Sequence, residues 1–260
     1  MTKITKVVFF GTPDFAMPVL ESLKESGYDV YHFKSKNLKD EEVFEQFKSL
    51  NSDICVVAAY GKIIPKRYLE TPKYGFINVH PSLLPKYRGP SPVQTAILNG
   101  DAETGVSIMV VDEEVDHGPV IASQKFSILN FQFSNHDELA RGLFELGSKL
   151  LIEVLPKYIS GEIKPEPQDH SQATFTRMFT REDGRIDWSK SVREIYNLIR
   201  ALNPEPGAWT TWKDKIINIK KAELADGELK IQTIQMEGKK ETMLKEFLNG
   251  HPNFDVTKLS

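Results

Sequence analysis

An Asn-x-His pair near the middle of the chain carries the residue types best suited to chemistry. Asn78 and His80 end the apolar run Gly75–His80, which predicts a strand, and alternation along a strand places both side chains on one face. In open α/β sheets, ligands bind outside the carboxyl ends of the strands. The pair therefore predicts either a reaction centre or a hydrogen-bonded structural pair at the sheet edge.

An acidic loop provides the candidate partner for this pair. Residues 101–118 contain six acidic residues and no Lys or Arg. Most such runs are solvated, but the Gly118-Pro119 turn can fix the direction of the preceding Asp116. We expect the Asp116 carboxylate to face His80, to orient the imidazole and to accept a proton.

Composition and motifs exclude several other functions. A single cysteine cannot form an internal disulfide or a multi-cysteine metal site, and the six histidines show no paired metal spacing, so no metal is predicted. The turn after the first strand has one glycine where a dinucleotide fingerprint needs three, and there is no P-loop or GxSxG motif. The net charge of −3 excludes a globally basic nucleic-acid binder. Residues 60–100, however, hold six basic residues and one acidic residue, which predicts a local positive patch.

Alternating strand and helix patterns over the first 160 residues predict an open, mostly parallel, Rossmann-like α/β sheet. The predicted strands are Ile4–Phe10, Tyr28–Phe33, Asp53–Ala59, Gly75–His80, Val106–Val111 and Pro119–Ile128. The predicted helices are Pro13–Ser26, Asp40–Leu50, a helix from Ser91 to Gly100, and Ser134–Tyr158. Cys55 falls within an apolar strand and is predicted to be a core residue.

The pattern changes after residue 160. Residues 161–185 contain two prolines, a Gln-Asp-His-Ser-Gln run and little apolar periodicity, which indicates a linker. The chain is therefore predicted to divide into a catalytic domain (1–160), a linker (161–185) and a small β-rich, reduced OB-like domain (186–260). The elements predicted for this last domain are helices Val192–Leu202 and Met243–Asn249 and strands Ala208–Trp212, Ile216–Glu223 and Leu229–Gln235.

The apolar runs bear on location. The longest are far shorter than the roughly 18 residues that span a membrane, and the first apolar run ends in Gly, Pro and Asp, unlike a signal peptide. We expect a cytoplasmic protein that does not contact membranes, and a monomer.

Segments spread over nearly the whole chain together resemble the methionyl-tRNA formyltransferase family. The Asn-x-His pair with Ser-Leu-Leu-Pro and a later Asp-x-Gly marks the wider family of formyltetrahydrofolate-dependent transferases, and the C-terminal segments favour its tRNA-directed members. The matching segments are GTPDFAMPVL (11–20), AAYGKIIP (58–65), INVHPSLLPKYRGPSPVQTAILNGD (77–101), TGVSIMVVDEEVDHGPVI (104–121), DGRIDWSKS (183–191), IRALNPEPGAWTTW (199–212) and EGKKETMLKEFLNG (237–250).

The resemblance implies transfer of the formyl group of 10-formyltetrahydrofolate to the amino group of initiator methionyl-tRNA, without a metal. It implies a catalytic trio of Asn78, His80 and Asp116, called the trio below. The folate contacts that it implies are Ser82, Leu83, Leu84, Pro85, Tyr60, Gly61, Lys62, Ile63 and Ile64. The acceptor-side residues that it implies are Thr12, Pro13, Asp14, Phe15 and Arg88.

The chain departs from the family pattern in two places. The family has a long basic loop, a helix and a strand before the helix that matches Leu38–Leu50, and a longer OB-like C-terminal barrel. Because that loop reaches the tRNA acceptor end in the family, its absence leaves an alternative open, in which the acceptor is an amino sugar attached to a nucleotide. A third hypothesis, a folate- or RNA-binding module without catalysis, is disfavoured because all three catalytic residue types are present.

Overall fold

A computed structural model describes residues 5–35, 37–130 and 132–254. The strands are β1 (Lys6–Gly11), β2 (Asp29–His32), β3 (Ile54–Ala58), β4 (Phe76–His80), β5 (Glu103–Val110), β6 (Val120–Ser127), β7 (Ala208–Trp212), β8 (Lys215–Ala225), β9 (Glu228–Met236) and β10 (Thr242–Met243). The helices are α1 (Met17–Glu25), α2 (Glu41–Ser49), α3 (Lys66–Leu69), α4 (Pro92–Leu98), α5 (His136–Ser160), α6 (Val192–Leu202) and α7 (Leu244–Gly250).

The chain forms two compact units, each assembled from several segments. Unit 1 comprises Met1–Pro92, Glu103–Ser127 and Ala140–Thr176, and unit 2 comprises Val93–Ala102, Ile128–Leu139 and Arg177–Ser260. The first part of the segment interpreted as a linker therefore belongs to unit 1. The division at residues 160 and 185 stays a prediction.

Unit 1 is built on a six-stranded sheet in the order β2-β1-β3-β4-β5-β6. The first four strands in this order are parallel, whereas β5 pairs antiparallel with both β4 and β6. The prediction of an open, mostly parallel α/β sheet is therefore confirmed. Because β1, β3 and β4 run in the same direction, their carboxyl ends meet at one edge of the sheet.

Two apolar clusters cover the two faces of this sheet. Alternate residues of β1, including Val7 and Phe9, pack with α1 and α5, while Val8 and Phe10 pack with α2 and α3 on the other face. This burial on both sides explains why β3 reads as an unbroken apolar run. Cys55 lies fully buried in β3, as predicted, and burial raises the pKa of its thiol.

The first helix begins later than the sequence pattern predicts. A 3-10 turn spans Asp14–Ala16, and α1 begins only at Met17. Pro18 is the reason: in a helix that began at Pro13, Pro18 would lie in the interior, where it lacks the N–H for the ladder, whereas the first turn tolerates it. The later helix α2 begins as predicted, because the Asp40 carboxylate caps it by accepting from the Glu42 N–H at 2.9 Å.

Unit 2 contains an antiparallel four-stranded sheet in the order β10-β9-β8-β7. Its apolar face packs against α6 and α7, and a capping box between Ser191 and Glu194 fixes the start of α6. The sequence predicts three of these strands and misses the two-residue β10. The small β-rich unit is otherwise as expected.

Within the described residues, none of the helices combines the length and the apolar character that a bilayer span needs.

Candidate active site

Strand β4 positions the first two members of the trio. Ile77 and Val79 point into the apolar core of unit 1, so Asn78 and His80 take the alternate positions on the other face. His80 is 3% exposed, and Asn78 is half-buried. A core strand that ends in two polar side chains needs hydrogen-bond partners for both, because an unpaired buried polar group is costly.

The Asp116 carboxylate accepts a hydrogen bond from Asn78 and lies beside His80, whose own hydrogen-bond partner is the Tyr87 carbonyl. The Asn78 amide donates to Asp116 Oδ1 at 3.3 Å, and His80 Nδ1 lies 3.6 Å from the same oxygen. The Gly89 backbone N–H donates to the other oxygen, Oδ2, at 2.8 Å. Only 14% of the Asp116 side chain is exposed. The structure therefore brings the three predicted side chains together, with Asn78 and His80 facing the Asp116 carboxylate.

The second ring nitrogen of His80 fixes the position of its proton. His80 Nε2 lies 3.0 Å from the backbone carbonyl oxygen of Tyr87. Because a carbonyl can only accept, Nε2 carries the hydrogen in the neutral ring. Nδ1, which faces Asp116, is then the nitrogen that gains or loses a proton.

A tight turn aims Asp116 at the strand. Asp116 has a φ of 50°, in the left-handed region that aspartate tolerates better than most residues. Two residues later, a Cβ on Gly118 would lie 2.0 Å from the Val110 carbonyl oxygen, so only glycine lets the loop pass the end of β5 this closely. The Asp-x-Gly spacing thus has a steric cause.

Comparison with known proteins places this geometry in a family. Residues 13–155 match the family model described as "Formyl transferase", and residues 178–230 match "Formyl transferase, C-terminal domain". The chain belongs to the formyl transferase family. A methionyl-tRNA formyltransferase of Thermodesulfovibrio yellowstonii is 36% identical to it over 94% of this chain and 95% of that protein. Their alignment runs over 296 positions, more than the 260 residues here, so the relative holds internal segments that this chain lacks.

Solved structures share the fold of this family member. A methionyl-tRNA formyltransferase from Clostridium thermocellum has a TM-score of 0.73 at 22% identity, covering 90% of this chain and 99% of that chain. HypX from Aquifex aeolicus, solved in complex with tetrahydrofolic acid, has a TM-score of 0.74 at 18% identity, covering 94% of this chain and 47% of that chain.

In this formyl transferase, the Ser-Leu-Leu-Pro loop after β4 is held from within. The Ser82 hydroxyl donates to the Lys86 carbonyl at 2.6 Å, and Ser82 is fully buried. The Leu84 N–H donates to the Ser107 hydroxyl at 3.1 Å, which in turn donates to the Ser82 carbonyl at 2.8 Å. Ser82 therefore shapes the loop, and the half-buried Leu83, Leu84 and Pro85 retain surface for a ligand.

The Tyr60–Ile64 segment follows β3 at the same sheet edge. Tyr60 is buried and donates its hydroxyl to the Ser35 carbonyl at 2.5 Å, and burial raises the pKa of Tyr60 to about 12. Gly61, Lys62 and Ile63 are exposed, with Ile63 80% exposed, while Ile64 is half-buried. The exposed Ile63 is a single apolar side chain at this edge, and its contact with folate stays a prediction.

Residues 12–15 reach this edge from β1. Thr12 and Asp14 are exposed, Pro13 is half-buried, and Phe15 stacks on Phe144 with ring centroids 5.9 Å apart. The three segments predicted to surround the reaction centre therefore extend from the carboxyl ends of β1, β3 and β4.

Arg88 differs from the other predicted acceptor-side residues because it is 3% exposed. Its guanidinium donates to Gln168 Oε1 and, at 2.9 Å, to His170 Nδ1. Sequence reasoning missed Gln168 and His170, although both belong to the Gln-Asp-His-Ser-Gln run in the segment interpreted as a linker. A buried arginine needs such partners, so this polar run was the signal available.

Two further observations concern a metal site and a cavity. No group of three or more His, Cys, Asp or Glu side chains suited to a metal ion occurs within residues 5–35, 37–130 and 132–254. A cavity of about 540 Å³ in unit 1 lies at the opposite end of β4, lined by residues such as Tyr74, Phe76 and Tyr158. It contains none of the predicted site residues.

Proposed function

We propose that this protein transfers the formyl group of 10-formyltetrahydrofolate to the amino group of methionyl-tRNA. The observation that carries the proposal is the trio gathered around the Asp116 carboxylate at the carboxyl edge of the sheet. Membership of the formyl transferase family, with relatives named methionyl-tRNA formyltransferase, supports this choice of reaction and acceptor.

Formyl transfer forms a bond between the amine nitrogen and the formyl carbon and breaks the bond between that carbon and the folate nitrogen. Negative charge develops on the formyl oxygen in between. The amine loses one proton, and the departing folate nitrogen takes one up. The protein must therefore stabilise an oxyanion and move a proton, and neither task requires a metal.

Asn78 is suited to the first task. Its amide has two hydrogens, of which one is donated to Asp116 Oδ1. That bond orients the amide so that the other hydrogen can be donated to the formyl oxygen. A fixed donor of this kind stabilises the charge of the transition state without reorganisation.

Asp116 and His80 are suited to the second task. The Asp116 carboxylate accepts the proton that the amine loses, directly or through a water molecule. His80 Nδ1 lies 3.6 Å from that carboxylate and can hold the proton before it passes to the folate nitrogen. Protonated at Nδ1, His80 also places a positive charge beside the formyl oxygen.

The surrounding segments are proposed to bind the two substrates. Folate contacts are assigned to Leu83–Pro85 and to the Tyr60–Ile64 segment, and acceptor contacts to residues 12–15. Among the basic residues of 60–100, the exposed Lys62 and Lys86 are proposed to attract the phosphates of the tRNA. Arg88 is buried, and Lys66 and Arg67 pair with Glu113 and Glu41. A monomer, a cytoplasmic location and the initiator preference remain predictions.

An acceptor comparison tests the proposal. The purified protein is incubated with 10-formyltetrahydrofolate and either charged initiator tRNA or a set of amino sugars attached to nucleotides. We expect a formylated methionyl-tRNA and no formylated sugar. The sugar is tested because the relative contains internal segments that this chain lacks. Formylation of a sugar alone would show that the acceptor is a sugar and not methionyl-tRNA. Folate binding without transfer to either acceptor would indicate a binding module.

A further inference from the structure

We propose that Gln168 is a positioning residue for the reaction and that Arg88 acts through it. The side-chain amide of Gln168 holds the Asp116–Gly118 turn, and this turn keeps the Asp116 carboxylate directed at Asn78 and His80. The role in catalysis rests on the proposed function, whereas the role in holding the turn does not.

The contacts of Gln168 connect two loops of the site. Gln168 Nε2 donates to the backbone carbonyls of Asp116 at 2.9 Å and Gly118 at 2.7 Å. Gln168 Oε1 accepts from Arg88 Nε at 3.1 Å and from Arg88 Nη2 at 2.7 Å. Each hydrogen and the oxygen of the amide thus have a partner, and the side chain is 8% exposed.

The orientation of this amide is fixed by its partners. A guanidinium can only donate, so the oxygen of Gln168 must face Arg88, and a carbonyl can only accept, so the NH₂ group must face the turn. Rotating the amide by half a turn would break all of these bonds. Arg88 therefore selects the orientation in which Gln168 can hold both carbonyls.

The contacts close into a ring that includes the catalytic carboxylate. Arg88 is anchored through its backbone, which accepts from the Thr176 N–H at 2.7 Å and donates to the Thr174 carbonyl at 2.9 Å. Its neighbour Gly89 donates its N–H to Asp116 Oδ2 at 2.8 Å. Asp116 is therefore held at its backbone by Gln168 and at its side chain by Gly89.

The backbone of Asp116 explains why such support is needed. A left-handed φ of 50° is less favourable than an extended or helical conformation, even for aspartate. Without Gln168, two carbonyls lose their donor and the turn can relax. A displacement of the carboxylate by about 1 Å is enough to lower the rate by about 100-fold.

Substitutions of Gln168 test this role. Gln168→Met keeps the length of the side chain and removes all of its hydrogen bonds, while Gln168→Glu retains the acceptors for Arg88 and loses both donors. For each, we expect kcat for formyl transfer to fall by about 10- to 100-fold, with KM for the formyl donor changed by less than about 2-fold. Gln172→Met, at an exposed position of the same segment, is the matched control and should leave kcat unchanged.

A second measurement reports the position of Asp116 without any substrate. The amide proton of Gly89 is hydrogen-bonded to the carboxylate, so its NMR chemical shift depends on that contact. We expect this signal to move upfield in Gln168→Met and Gln168→Glu and to stay in place in Gln172→Met. Thermal unfolding shows whether each variant folds. If one of Gln168→Met and Gln168→Glu does not fold, the test uses the variant that does.

The outcomes separate the two proposals. If the wild-type protein transfers formyl groups to no acceptor, the proposed function fails, and the Gly89 signal still decides whether Gln168 holds the turn. If kcat is unchanged in both Gln168 variants, or if it falls while the Gly89 signal stays in place, Gln168 is not a positioning residue. A loss of equal size in Gln172→Met would likewise overturn the assignment.

Discussion

The trio and the exposed residues around it, called the rim, differ in how firmly contacts within the protein hold their side chains. Asp116 is held by Asn78, Gly89 and Gln168 and is mostly buried. The rim, defined as residues 12–14 and 61–63, lies at the same sheet edge, yet most of its side chains are exposed.

The difference agrees with the proposed division between residues that do chemistry and residues that bind the substrates. Groups that stabilise charge in a transition state work best when they are fixed before the substrate arrives, because no reorganisation is then needed. Groups that bury a ligand need free surface, and an exposed Ile63 has such surface. Substitutions in the trio should therefore lower kcat, while substitutions in the rim should raise KM.

The largest effect is expected for Asp116→Asn. The amide has nearly the same shape, but its NH₂ group cannot accept from the donors that face it and cannot take up a proton. We expect formyl transfer to fall by about 10³-fold with KM for the formyl donor nearly unchanged, measured by steady-state kinetics. Asp112→Asn makes the same change in the same loop, at a carboxylate that pairs with His117 at 2.7 Å, and should retain most of the activity.

A smaller effect of the opposite kind is expected for Ile63→Ser. If the folate ring covers this side chain, the substitution loses the burial of an isoleucine, worth up to about 1.5–3 kcal/mol. We expect KM for the formyl donor to rise about 10-fold at constant kcat. Initial rates measured over a range of donor concentrations give both constants. Leu129→Ser, at a position that is equally exposed, should change neither constant; a fall in kcat for Ile63→Ser would contradict the distinction between trio and rim.

The smallest effect is expected for Glu113→Gln. Glu113 pairs with Lys66 at 2.6 Å, but both side chains are about 60% exposed, and exposed ion pairs contribute little. We expect kcat and the midpoint of thermal unfolding to match those of the wild-type protein. A clear drop in kcat would show that this pair belongs with the trio after all.

The sequence predicts that Asn78, His80 and Asp116 lie together, as the structure shows, because few relations have to be inferred. Their catalytic roles stay a prediction. Strand alternation relates Asn78 to His80, and the Gly118-Pro119 turn sets the direction of Asp116, so only one pairing of strand and loop has to be inferred. The contact between Arg88 and Gln168 could not be predicted in this way. It joins residues 80 positions apart in sequence. The sequence pattern of neither segment indicates which residue of the other it contacts.

Errors in the predicted elements have equally specific causes. The first helix begins at Met17 because Pro18 is tolerated only near a helix start, a constraint that the apolar pattern did not reveal. Strand β10 has two residues, too few for any periodicity to appear. Long apolar runs such as β3 were predicted to within one residue at each end.

The position of β2 at the edge of the six-stranded sheet has a consequence for divergence within the family. The resemblance places one of the missing segments between β2 and α2. An edge strand has one neighbour, so chain lost or gained beside it leaves the β3–β4–β5 pairing unchanged. A segment grafted at this position is therefore expected to leave the reaction centre in place, so the proposed link between this segment and acceptor preference can be tested separately from the chemistry.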